Sequence, residues 1–532
     1  VSDEEYTAYT PAQLAARRAQ ERAKRRRARR RLLIGVWFAV GGVVAAFGVT
    51  GIGGGGAAAA IPTGTTVEVS TTPTSGPIAP GFVGLSTEFT SLLPYLGDDP
   101  AAPNPTFIAL VRALAPGARP VLRIGGDSTD WTWLPVRGIT RPRGIRYSIS
   151  PRSLAVLGAA ARALDARVIL GVNLEADSTA IAGAEARAFI RTLGTNLVGG
   201  LELGNEPELY SAFGWYTTAA GVRVRGRPRG YRVGSYIRDF HTISAALPKS
   251  VPLVGPASGA PKYVAAASRF LAGNPRVKIV TYHTYPLHRC FTPLTSPQYP
   301  TIPNLISDQA ALSPAAFVKT AIAAAHASGD QFRIDEFNSV SCEGKRGVSD
   351  TFASALWAVD ALFTLVAAGV DGVNVHTLTS AAYAPFSFDQ RDGRWRAQVT
   401  PLYYGLLLFT RAAPAGSRLI PTTVPAKTGL DSYATIAAGG TVRLVLLNDS
   451  QTRTVPVLVP APAGAHTATL QRLRAPSLSA KSGVTLAGQT FGSWSTTGTL
   501  GGTPHVTTLH QIDRVFAFRV PPSSAALLTI AP

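Results

Sequence analysis

Leu201-Glu-Leu-Gly-Asn-Glu-Pro-Glu208 is the stretch from which the fold of this 532-residue chain is read. The apolar run that leads into it, Leu197–Leu203, has the length of a strand buried on both faces. It ends at Gly204-Asn-Glu-Pro207, where proline fixes the local chain. Glu206 therefore sits at the carboxyl end of a buried strand. Working outward, seven more runs of the same kind are found: Phe82–Glu88, Pro120–Gly125, Arg167–Glu175, Pro252–Ala257, Val277–Tyr282, Phe332–Asp335 and Gly372–Thr377. Helical periodicity fills the intervals at Pro105–Leu114, Ser153–Leu164, Ala180–Leu193, Ser235–Leu247, Pro261–Ala272, Pro314–Ala327 and Ser349–Ala368, with Pro401–Thr410 after the last strand. Eight strands, each followed by a helix, predict an α/β chain built as a (β/α)8 TIM barrel, with its site at the carboxyl ends of the strands. An open doubly wound sheet is the rival. It lacks a dinucleotide-type phosphate turn, because the glycines of Arg123-Ile-Gly-Gly126 are wrongly spaced for one.

The flanks differ in texture from this core. Residues 1–31 are charged and alanine-rich, and ten Lys or Arg lie between Arg17 and Arg31. Leu32–Ile52 follows with 21 uncharged residues, which as a helix would span roughly 30 Å, the depth of a bilayer core. A basic cytoplasmic tail, a transmembrane helix over 32–52 and a Gly/Ala linker over 53–64 are expected. The positive-inside bias then places the rest outside the cell. Export with signal cleavage near Ala57–Ala60 is the alternative. Thr65–Thr71 alternates like a strand, and residues 65–75 are expected to join a C-terminal domain. The barrel is assigned to 76–412. From 413 to 532 short β-rich runs such as Val442–Leu447, Val455–Val459 and Val515–Val520 predict a β-sandwich.

Formal charge is +20, and the remainder beyond the tail is still basic. No nucleic-acid module accompanies it, so nucleic acid is not an expected partner. The readings left are an ordinary solvated surface or a groove for an anionic polysaccharide. The chain's two cysteines, Cys290 and Cys342, would lie in an oxidising compartment and are expected to pair, two buried thiols being the bland alternative. His288 beside Cys290 lacks any four-ligand spacing, so no metal is expected.

Glu336, in Phe332-Arg-Ile-Asp-Glu-Phe-Asn-Ser339, ends the seventh predicted strand as Glu206 ends the fourth, so closure of the barrel brings both to one rim. Cleavage of a glycosidic bond with retention needs one carboxyl as nucleophile and another as acid and then base, about 5–5.5 Å apart. Two acids so placed do not both ionise comfortably, and the proton is assigned to Glu206. The bland readings are a solvated turn for Glu206 and a salt-bridged structural acid for Glu336.

Leu203-Gly-Asn-Glu-Pro-Glu-Leu-Tyr210, Arg123-Ile-Gly-Gly-Asp-Ser-Thr-Asp130, His283-Thr-Tyr285 and Glu336 followed by Ser349-Asp-Thr-Phe-Ala353 together resemble glycoside hydrolase family 79, which includes β-glucuronidases and heparanase. The resemblance runs from about Thr65 to the end. It implies a barrel with a β-sandwich, a retaining mechanism with Glu206 as acid/base and Glu336 as nucleophile, and neither metal nor organic cofactor. It implies further that Asn205 bonds the sugar 2-hydroxyl, that Tyr285 touches the nucleophile, that Glu88 and Asp130 grip sugar hydroxyls, and that Tyr383 meets the uronate carboxylate. The chain departs from the family after the nucleophile, with Ser341 where tyrosine can stand and Cys342 and Glu343 where heparanase has glycines. His283 and His376, at predicted strand ends, are either substrate contacts or satisfied rim residues. Trp131, Trp133 and Trp215 are either sugar-stacking walls or core.

The expectation is thus a membrane-anchored, extracellular retaining β-glycosidase acting on a carbohydrate substrate, β-glucuronides or a uronic-acid-containing polysaccharide first. A neutral-sugar β-glycosidase, motivated by Ser341 and Glu343, and a non-catalytic polysaccharide-binding protein are the alternatives.

Overall fold

The computed structural model describes residues 63–532. The tail, the Leu32–Ile52 segment and nearly all of the linker lie outside the described residues. Among the described residues no helix is long and apolar enough to cross a membrane.

Eight parallel strands close a barrel: β1 (Val83–Glu88), β2 (Val121–Gly125), β3 (Arg167–Val172), β4 (Val198–Leu203), β5 (Leu253–Ser258), β6 (Val277–Thr284), β7 (Gln331–Phe337) and β8 (Gly372–Thr377). Each pairs with the next, and β8 pairs with β1 through Val373–Val83 to Thr377–Thr87. All residues of β1, β4, β5 and β8 are buried, as expected of strands covered inside by each other's side chains and outside by helices. Side-chain caps start several of those helices. Asn104 accepts from the N–H groups of Thr106 and Phe107, Ser150 from Ser153, and Ser178 from Ile181.

Three expectations need correction. Pro261–Ala272 is two helices, Pro261–Ala265 and Ala267–Gly273, because the Ala266 N–H bonds back to Tyr263 and Val264 and closes the first. Pro314–Ala327 begins instead at Lys319, after a 3-10 turn over Ser313–Ala315. An unforeseen hairpin, Phe386–Arg391 with Arg394–Val399, separates β8 from the helix Pro401–Ala412.

The C-terminal domain is two packed sheets. Strands Arg418–Ile420, Leu430–Ile436, Val442–Asn448, Ser524–Ile530, Thr467–Arg474 and Thr485–Leu486 run in that order in one sheet, with Thr507–His510 also paired to Thr467–Arg474. The other sheet takes Val455–Pro460 and Val515–Val520 and, from the start of the described chain, Thr65–Thr66 in parallel register with Val457–Leu458. The first sheet is covered on both faces. Alternation along Val442–Asn448 sends Leu444 and Leu446 into the core between the sheets and Val445 and Leu447 into the barrel's core, and Ser524–Ile530 divides in the same way. That double burial explains unbroken runs such as Leu444-Val-Leu-Leu447.

Against this sheet lies the helix Phe352–Ala368, buried on nearly every side. Its Phe363 ring stacks on Tyr433 at 4.8 Å, and the Tyr433 hydroxyl donates to Asp360. Phe363→Ala is expected to lower stability by about 3–5 kcal/mol, whereas Tyr433→Phe, which keeps the stack and loses the hydrogen bond, costs under about 2 kcal/mol. Urea unfolding followed by tryptophan fluorescence checks this, and an unmoved Phe363→Ala midpoint would mean that the stack does not join the domains.

Candidate active site

A cleft of about 920 Å³ opens over the carboxyl ends of the barrel strands, and both glutamates line it. Glu206 follows β4 in a left-handed conformation (φ 45°), fixed by Pro207 and by its own N–H donating to Ala257 O at 2.7 Å. Glu336 is the penultimate residue of β7. One carboxylate oxygen of each lies within 4.8 Å of the other's and of a His283 ring nitrogen. That is closer than the roughly 6.5–9.5 Å that leaves room for an attacking water between two carboxyls.

The two acids have different surroundings. Glu336 Oε2 accepts from Arg123 Nη1 at 2.7 Å and Oε1 from the Tyr285 hydroxyl at 2.8 Å, with His283 and His376 nitrogens 3.7 and 3.8 Å away. Burial would raise this carboxyl, but His376, His283, Arg123 and the Tyr285 hydrogen bond hold it well below the usual carboxylate range. Of these neighbours Arg123 carries the permanent charge, because burial pushes His376 down to about 4. Glu206 Oε1 instead meets His283 Nδ1 at 3.1 Å. Burial would lower His283, yet Glu336, Asp335 and the bond to Glu206 carry it well above its ordinary value, and it is the imidazolium between the two acids.

Beneath them lies a residue whose role the sequence reading missed. Arg123, on β2 and fully buried, donates to Glu202 on β4 (2.7 Å), Ser86 on β1 (3.2 Å), Glu336 on β7 and Asn205 (2.9 Å). The signal was present, because an arginine inside an apolar strand run must find a buried anion. Gly125 makes room for it, and Gly126 makes room for Glu88. A Cβ at Gly125 would collide with the Arg123 guanidinium, and one at Gly126, at φ 72°, with the Glu88 carboxylate.

The other predicted residues divide. Glu88 lines the cleft, accepts from the Asp127 and Ser128 N–H groups and stands 3.7 Å from His376. Burial and the Glu336 charge push it up to about 7 against its bonds to Ser128. Tyr383 also lines the cleft, its ring 6.1 Å from that of Tyr285. Asn205 is buried, with Oδ1 accepting from Arg123 and Nδ2 donating to Asp127 Oδ1 at 3.2 Å. Asp130 does not face the cleft. Its oxygens accept from the N–H groups of Leu174, Glu175 and Asn205 and from the Tyr210 hydroxyl, so it braces the β3 and β4 loops. Asp127, three residues earlier, is the acid on the cleft wall, open to solvent there and flanked by Glu88, Glu206 and Glu336. Trp131 lines the cleft with Arg146 stacked on it at 3.8 Å, whereas Trp133 and Trp215 are core, packed with Ile145 and Ile181. Cys290 and Cys342 are bonded, which ties the loop after β6 to the wall after β7. Along that wall Ser341 pairs with His288 Nδ1 at 3.1 Å, and Cys342, Glu343 and Gly344 take three successive left-handed conformations.

A barrel with paired carboxylates after its fourth and seventh strands, joined to a β-sandwich, is the architecture of a glycoside hydrolase. The comparisons agree. Residues 432–527 match the glycosyl hydrolase family 79 C-terminal beta domain. A β-glucuronidase from Neurospora crassa is 24% identical over 429 residues, covering 72% of this chain and 74% of that one. In fold, the chain is similar to a 4-O-α-L-rhamnosyl-β-D-glucuronidase from Fusarium oxysporum 12S (TM-score 0.67, 20% identity, 87% of this chain and all of that one) and to a family 51 arabinofuranosidase from Xanthomonas axonopodis pv. citri (TM-score 0.59, 14% identity, 88% and all). The chain is a glycosidase similar to glycoside hydrolase family 79.

Two outcomes follow from the electrostatics. Arg123→Met leaves Glu202, Asp335 and Glu336 buried without their cation, and should destabilise by about 3–5 kcal/mol in denaturant titrations. It should also move the acidic limb of kcat/KM to higher pH, and an unmoved limb would disconnect Arg123 from Glu336. Glu88 binds its proton more tightly in the folded chain than its ordinary 4.5 allows, so that stabilisation is complete below 4.5 and is lost as pH rises through about 7. Glu88→Gln has no such proton. The Tm of wild type relative to Glu88→Gln should therefore fall between pH 4.5 and 7 by the equivalent of about 3 kcal/mol and stay level above. A constant difference across that range would refute the raised carboxyl.

Proposed function

We propose that the chain is a retaining β-glucuronidase that works by double displacement, with Glu336 as nucleophile and Glu206 as acid and then base. The observation that carries this reading is the pair of carboxylates within 4.8 Å at the ends of β4 and β7, one held ionised and the other not gripped by arginine. In the first step Glu336 attacks the anomeric carbon while Glu206 protonates the departing oxygen. Arg123 on Oε2 and Tyr285 on Oε1 hold Glu336 in position as it becomes a neutral ester, and the negative charge passes to Glu206 as it gives up its proton. In the second, Glu206 takes a proton from water, which attacks the same carbon and releases Glu336. Asp335 remains behind as a counter-ion, with Glu202 bonded to Arg123. Burial and the nearby Asp335 hold Glu202 well above its ordinary value, while His283 and Arg123 hold Asp335 below its own against its burial, so the charges of Arg123 and His283 are matched by Asp335 and Glu336.

A uronide as the glycone is supported by the activities of the Neurospora crassa and Fusarium oxysporum 12S proteins and by donors on the cleft wall. These are the hydroxyl of Tyr383 and the proton-bearing carboxyl of Glu88. A neutral sugar is the second reading, and one observation favours it. Among the described residues the cleft is lined by Glu88, Asp127, Glu206, Glu208, Glu336 and Glu343 and by no lysine or arginine. Placement outside the cell, held by the Leu32–Ile52 segment, is part of the same proposal and rests on the sequence.

A panel of p-nitrophenyl glycosides separates the sugars: turnover of the β-glucuronide ahead of the β-glucoside and β-xyloside is expected, and the reverse order rejects the uronide. An activated 2-fluoro glycoside should label Glu336, and Glu336→Gln should take no label. Glu206→Ala should lose activity by at least about 10²-fold on a substrate with a poor leaving group and regain it with azide on an activated one. No adduct with intact sugar binding would leave a binding protein in place of an enzyme.

A further inference from the structure

Beside Glu206 and Glu208 the cleft carries an apolar lip. Leu209 and Phe213 lie on the segment leaving Glu206, and Ala260 and Pro261 follow Gly259, where a Cβ would stand 3.1 Å from Glu206 Oε1. Phe291, from the loop after β6, completes this lip. Phe291 is 91% exposed and Phe213 49%, and their rings lie 6.3 Å apart. Two neighbouring phenyl rings left in water at the mouth of a cleft mark a binding surface. Phe291 is also fixed there. The adjacent Cys290 is bonded to Cys342 in the cleft wall, and Phe291 itself sits at φ 62°, a conformation that non-glycine residues seldom keep without a compensating function.

We infer that this lip is the leaving-group subsite and that it takes an apolar, ring-bearing aglycone, with Phe213 and Phe291 as its specificity-determining residues. The inference rests on Glu206 as the acid, since the departing oxygen must reach that carboxyl and its substituent must then lie against the wall beside it. Apart from Glu208, a second sugar would present its hydroxyls to Leu209, Phe213, Ala260, Pro261 and Phe291, whose side chains offer no hydrogen bond. A hydrophobic alcohol removes those rings from water.

Benzyl and methyl β-D-glucuronides test it, because their alcohols are nearly equal in acidity and differ in what they touch. Wild type should favour benzyl over methyl by about tenfold or more in kcat/KM. Phe291→Ala and Phe213→Ala should each lower that ratio and the double variant bring it near one. Phe291 is so exposed that its removal leaves the fold untouched. A wild-type ratio near one, a ratio unchanged in both variants, or faster turnover of a β-glucuronyl disaccharide than of benzyl glucuronide overturns the inference. β-Glucuronyl fluoride, which has no aglycone to bind, keeps the two readings apart: its turnover with a flat benzyl-to-methyl ratio sinks this inference alone. Silence on it sinks the glucuronide reading, and the ratio is then measured on whichever neutral glycosyl fluoride is turned over. Silence on every fluoride overturns both.

Discussion

The site depends on one buried guanidinium. Arg123 reaches from β2 to side chains on β1, β4 and β7 and to Asn205, so four of its N–H contacts define where the floor of the cleft lies. Burying it is costly in itself, and a well-packed apolar floor would commonly be as stable or more so. What the guanidinium supplies is a fixed positive charge 2.7 Å from Glu336. That charge helps hold the carboxyl ionised. The guanidinium's planar fork also fixes the orientation that a lysine ammonium would leave free.

Around that charge the carboxyls sort by environment. Glu336 and Asp335 lie within reach of Arg123 and His283 and stay low, whereas Glu88, buried, and Glu208, half-buried, have fewer cations near them and are pushed up. For Glu88 and Glu208 the result is a carboxyl that titrates near 7. Six acids around one cleft are thus not six negative charges. The protonated ones donate hydrogen bonds, and a cleft that looks hostile to an anion by composition is less so by protonation.

The barrel was legible because its strands are covered on both faces and so read as continuous apolar runs, and because β4 and β7 stop at carboxylates. All eight runs became strands. What escaped is informative in each case. Asp127 and Asp130 stand one turn apart at the start of a short helix, Ser128–Trp131, and only the tertiary placement of the β3 and β4 loops decides which carboxyl turns inward and which faces the cleft. Trp131, Trp133 and Trp215 are equally apolar in sequence, and two of them fill a small core instead of a wall. Arg123, Glu202 and Asp335 each interrupt a predicted strand with a charge. Three ionisable residues inside three apolar runs could have been paired with one another from the barrel topology alone.

The sandwich contributes to the site without reaching it. The wall after β7 carries Ser341, Cys342 and Glu343 and leads through Lys345–Thr351 into the helix Phe352–Ala368, whose first N–H groups have no partners within the helix. The sandwich supplies them, with Phe352 N–H donating to Ala480 O at 2.8 Å and Ala353 N–H to Leu478 O at 2.9 Å, while Lys481 holds Asp350 at 2.8 Å. The wall is therefore pinned at β7, at the Cys290 bond and at the sandwich. Between those three points a backbone with three consecutive left-handed residues is kept in place, since a free loop would relax out of it. The C-terminal domain acts as the clamp that lets this strained wall border the cleft.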